Sequence, residues 1–140
     1  MNIRTAFQNA FKRKQEKGWD KIYVLVDVHD TIMHGIHQTN EIYWWYKWSL
    51  IALKMMSIRR DISLILWTGS HQDRIDDFLS EMKKRGISFD WVNENPEVKD
   101  DDFYCGKGKL YFNVGIDDRF GFEPDTDWAE VINFLNKNPE

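Results

Sequence analysis

The chain has 140 residues, enough for one domain with one core, and its composition is that of a globular protein unusually rich in aromatics, with seven tryptophans. A net charge of −4 and a pI near 5.6 argue against a general nucleic-acid or anionic-membrane surface. The single cysteine, Cys105, excludes an internal disulfide and fits a reducing, cytoplasmic setting, and no run is long and apolar enough to span a membrane.

Residues 1–20 are basic and somewhat amphipathic through Ile3, Phe7 and Phe11. They read as an extra N-terminal helix docked on a single domain covering 1–140, with an organellar presequence as the alternative. Residues 22–28 form a continuous apolar run, as expected of a strand buried on both faces of a parallel sheet. A polar link over 33–40 leads to a predicted helix over 41–58, capped near Thr39 or Asn40 and carrying Tyr43, Trp44, Trp45, Tyr46 and Trp48. These rings read first as core, but one helix cannot easily bury all five, and the leftover rings suggest an oligomer or partner surface.

Residues 62–67 read as a second buried strand. Ser70 then caps a helix whose Ile75, Phe78, Leu79 and Met82 share one face, and Gly86 stops it. A short third strand is expected over 89–92, a polar loop over 93–109 and a fourth strand over 111–116. The last helix is expected to start at the box Asp127-Trp128-Ala129-Glu130 and to bury Trp128, Val131, Ile132 and Leu135. Strands alternating with helices imply right-handed crossovers and an α/β, doubly wound sheet.

In such a sheet the carboxyl ends of the strands share one edge, where ligands bind. The first strand ends in Asp27, followed by His29, Asp30 and Thr31; the second ends in Thr68-Gly69-Ser70; the fourth ends in Asp117-Asp118. Carboxylates from neighbouring strands make a hard oxygen site suited to Mg²⁺. A hydroxyl and backbone N–H groups at a helix start suit a phosphate oxygen, and Lys107 or Lys109 could add a cation.

The ordered set Asp27-x-x-x-Thr31, apolar-Thr68-Gly69, lysine, apolar-Asp117-Asp118 resembles the haloacid dehalogenase superfamily over residues 22–122. Stretches 64–68 and 115–119 look like its small phosphatase-like members. The resemblance implies a Rossmann-like three-layer sandwich with a short, mostly parallel sheet. It implies that Asp27 is a nucleophile taking a phosphoryl group, and that Mg²⁺ is held by Asp27, the His29 carbonyl and Asp117, with Asp118 in support. Thr31, Thr68, Gly69 and Lys109 would serve the substrate, with Lys107 second to Lys109.

His29 departs from the pattern, because family phosphatases usually carry aspartate there as acid and base. Asp30 then falls where glycine is common, so it is not the missing group shifted by one. Imidazole can do acid–base work near neutral pH. Should it fail, a binding or regulatory module remains, with metal and phosphate sites but little turnover. His29, His34, His37 and His71 all follow the first or second strand, yet match no strict zinc spacing. The segments 31–60 and 93–110 are too short for a lid domain, so an open site and a macromolecular phosphorylated substrate, or subunits covering one another, are expected. Nucleic-acid end processing is a third possibility, against which the acidic balance counts.

Overall fold

The computed structural model describes residues 2–35, 43–98 and 110–140. Among them the order is α1 (Ile3–Lys17), β1 (Ile22–Asp27), α2 (Ser49–Ser57), β2 (Ile62–Trp67), α3 (Gln72–Lys84), β3 (Trp91–Val92), β4 (Val114–Ile116), a 3₁₀ turn (Asp118–Phe120) and α4 (Pro124–Lys137). The strands form one sheet in the order β3-β2-β1-β4, every pair parallel. This is an α/β architecture consistent with a Rossmann-like sandwich.

The apolar run of β1 is central because it can tolerate burial on both faces. Val24 and Val26, with Leu64, Leu66, Val114 and Ile116 beside them, join a core shared with residues of all four described helices. On the opposite face Leu25 and Ile65 are buried as well. Helix α1 packs against α4: Phe7 stacks on Phe134 at 5.5 Å, and Gly18, at φ 71°, closes the helix in the left-handed conformation that glycine accepts without strain.

The aromatic segment departs from the helix expected over 41–58. Of its described residues, only Ser49–Ser57 is helical. Residues 43–46 are extended instead: the Tyr46 N–H donates to the Ile32 carbonyl at 3.0 Å, and the His34 N–H to the Trp44 carbonyl at 2.8 Å. Met33 pairs antiparallel with Trp45. An extended backbone turns successive rings to opposite sides, which separates the four rings of 43–46 that a helix would crowd. Tyr43 and Trp45 stack at 5.0 Å and reach Phe78 of α3. His34 lies between Trp44 and Tyr46, at 4.0 and 3.9 Å. Trp48 takes φ 74° and starts the helix without a side-chain cap. The caps expected at Thr39 or Asn40 lie outside the described residues.

Other boundaries shift by a few residues. The third and fourth strands are shorter than expected, at Trp91–Val92 and Val114–Ile116. His71, not Ser70, occupies the cap position of α3. Helix α4 begins at Pro124, whose fixed φ and missing N–H suit a first helical position. Asp127 therefore sits inside the first turn, where its carboxylate accepts the Glu123 N–H at 2.8 Å.

Candidate functional site

The parallel register brings the site together. Val26 pairs with Ile116, so the next residues, Asp27 and Asp117, stand side by side at one level. Asp27 also pairs with Trp67, which puts Thr68 one step beyond on the other flank. Asp27, Asp117 and Asp118 each offer an oxygen within 4.8 Å of the others. Asp27 and Asp117 are buried, whereas Asp118 is exposed.

Crowding shows in their electrostatics. Burial, then the negative charge of Asp117, pushes the Asp27 carboxyl from 3.8 up to about 7. A hydrogen bond from Thr31 works against that rise. Asp117 is raised too, first by burial, with Asp118 adding to it, while the N–H of Arg119 pulls the other way. Hard oxygen donors that repel one another in a half-dry site are a donor set a divalent cation would satisfy. Among the described residues no histidine joins this cluster, and His37 lies outside them.

A tight turn follows Asp27. The N–H groups of Thr31, Ile32 and Met33 all converge on the Val28 carbonyl, at 3.3, 2.9 and 3.3 Å. The turn needs one left-handed residue, and Asp30 supplies it at φ 61°. Aspartate tolerates that region better than most side chains, which fits the expectation that glycine is common here. The Asp30 carboxylate accepts the Gly35 N–H at 2.9 Å. It is occupied in shaping the loop.

Thr31 is fully buried, and its hydroxyl ties two strand ends together. It lies 3.1 Å from Asp27 Oδ2 and 3.2 Å from Asp118 Oδ1, and it accepts the Asp118 N–H at 3.1 Å. The Thr31 carbonyl accepts the indole N–H of Trp128 at 2.8 Å. Thr31 therefore positions the carboxylates from beneath.

Thr68, Gly69 and Ser70 face this group across a cleft of ≈ 380 Å³ whose lining also includes Asp27, His29, Asp30, Asp118 and Arg119. The Thr68 hydroxyl accepts the Ser70 N–H at 3.2 Å. Asn93 grips Thr68 by its backbone: the side-chain oxygen accepts the Thr68 N–H and the amide donates to the Thr68 carbonyl, both at 2.8 Å. Sequence reasoning missed Asn93 and Arg119, and gave Trp128 as a core residue without its bond to Thr31. For Asn93 the available signal was a residue able to adopt φ 56° directly after a strand. Lys107 and Lys109 lie outside the described residues.

No family model and no curated protein matches the sequence. A solved structure of a conserved protein from Bacteroides thetaiotaomicron does match, at 23% identity and a TM-score of 0.62, over 86% of this chain and 93% of that one. At that identity the likeness is one of fold. No described helix is long and apolar enough to cross a membrane.

Proposed function

We propose that this chain is a Mg²⁺-dependent phosphomonoesterase of the haloacid dehalogenase type, with Asp27 as nucleophile. The observation that carries the reading is the meeting of Asp27, Asp117 and Asp118 within 4.8 Å on the edge that also presents Thr68. Asp27, the His29 carbonyl, Asp117 and Asp118 would hold the cation, which when bound offsets negative charge on phosphoryl oxygens. A carboxylate oxygen of Asp27 attacks phosphorus, and the bond to the leaving oxygen breaks. His29, exposed on the cleft, gives that oxygen a proton. The imidazole then takes a proton from water, whose oxygen attacks phosphorus and releases Asp27 and inorganic phosphate. The Thr68 hydroxyl and the Gly69 N–H bind phosphoryl oxygens. The short inserts favour a macromolecular substrate, or a second subunit, to exclude water.

The expected result is slow Mg²⁺-dependent hydrolysis of an aryl phosphate, abolished in Asp27→Asn. Replacing His29 by alanine should cost roughly 10²–10⁴ in rate if imidazole is the acid and base. Failure to turn over any phosphoester with Mg²⁺ present would overturn the enzymatic reading.

A second reading is a binding module that keeps the cation and phosphate sites. His29 favours it, because among the described residues its side chain has no hydrogen-bond partner to orient it. Calorimetry separates the two: cation and phosphate binding without hydrolysis, with activity rising sharply in His29→Asp, identifies an attenuated site.

A further inference from the structure

Charge balance in the cleft exposes a need that the proposed metal alone does not meet. The three clustered carboxylates outweigh one divalent cation by a single negative charge, and a phosphomonoester brings close to two more. Thr68, Gly69 and Ser70 offer neutral donors only. Among the described residues that line the cleft, Arg119 alone carries a fixed positive charge.

Its setting suits that task. Arg119 follows the aspartate pair in the 3₁₀ turn, and its backbone N–H is held by Asp117 Oδ1 at 2.8 Å. Phe120, the next residue, is stacked on Phe112 with ring centres 6.4 Å apart. The backbone is thus fixed on both sides. The guanidinium forms no ion pair among the described residues, although Asp27, Asp30 and Asp118 line the same cleft. A planar fork of N–H donors matches two oxygens of a tetrahedral phosphoryl group.

Resting on the phosphomonoesterase reading, we propose that Arg119 is a cation that clamps the substrate's phosphoryl group, in addition to the lysine expected from residues 107–109. Inorganic phosphate is the probe. Calorimetric titration with Mg²⁺ present should show phosphate affinity at least tenfold weaker in Arg119→Ala, with Arg119→Lys intermediate because it keeps the charge and loses the fork. Titration of Mg²⁺ alone should show equal or tighter binding in Arg119→Ala, since a positive charge has left the neighbourhood of the carboxylates. A merely structural arginine would weaken both ligands together, and that outcome overturns the proposal. So does phosphate binding in Arg119→Ala equal to the wild type; if hydrolysis also persists there, the phosphatase reading survives alone. A wild type that binds phosphate in an Arg119-dependent way but hydrolyses no phosphoester overturns only the phosphatase reading. A wild type that binds no phosphate overturns both.

Discussion

Burying Asp27 beside Asp117 makes the fold respond to pH in a definite direction. Its carboxyl titrates near 7 when folded, against 3.8 ordinarily. Between those values the folded chain holds more protons than the unfolded one, so stability contributed at this site is complete below about pH 4 and lost as pH rises through about 7. Asp117 shifts the same way. The cation-free protein should melt at falling temperature from about pH 5 to about pH 8, and Asp27→Asn should flatten the slope. Added Mg²⁺ should raise the melting temperature most at the alkaline end, where the carboxylates repel most strongly. A cation-free melting temperature that rises over this range would contradict the assignment. Asp27, Thr68 and Asp117 were legible in the sequence because each directly follows an apolar strand. The part played by Thr31 was less so: nothing in its spacing distinguishes a hydroxyl that meets substrate from one buried under two aspartates.

At the scale of elements, β4 shows how a short strand can seat the turn that follows the aspartate pair. A Cβ on Gly115 would come within 2.8 Å of the Phe120 ring and 3.0 Å of Phe112. Glycine lets the two rings lie against the strand, and they steady the turn that carries Arg119. Gly115→Ala should therefore destabilise the protein by about 1–3 kcal/mol in chemical denaturation. The penalty should shrink when Phe120 is also replaced by alanine, a coupling that a double-mutant cycle reads directly. Strands β1 and β2 were legible as runs that are apolar but for Ser63 and the closing Asp27. The extended segment 43–46 was not, because four consecutive rings satisfy no helical or alternating apolar pattern when every position is aromatic. What decides its conformation is a partner, residues 32–34, that local sequence does not display.

Across the whole molecule, Arg59 joins parts far apart in sequence. It makes a paired bond with Asp61, 2.8 Å from Nε to Oδ1 and 2.7 Å from Nη2 to Oδ2. Nη1 donates to the Asn138 carbonyl at 2.8 Å, and the guanidinium lies over the Phe11 ring at 5.5 Å. Both charged side chains are mostly buried, at 10% and 14% exposure. Removing Arg59 strands Asp61, so Arg59→Ala should cost on the order of 3 kcal/mol. The hydrogen bond from Arg59 holds the Asp61 carboxyl below its ordinary range. Stability from this pair is present above the unfolded value and lost as pH falls through the folded one, opposite in sign to the Asp27 effect. Wild type should lose stability on acidification below about pH 4 more steeply than Arg59→Ala, as followed by melting temperature.

The same clamp fixes the direction in which the chain leaves the fold. Asp61 immediately precedes β2, and Glu140 accepts the Arg60 N–H at 2.9 Å, so the last residue lies at the strands' amino ends. Six residues of strand, roughly 20 Å, separate it from the carboxylate edge. Anything fused after Glu140, whether an affinity tag, a surface tether or a second domain, would therefore set out from the pole opposite the cleft. The protein could be immobilised by that end with its cleft still turned toward solution.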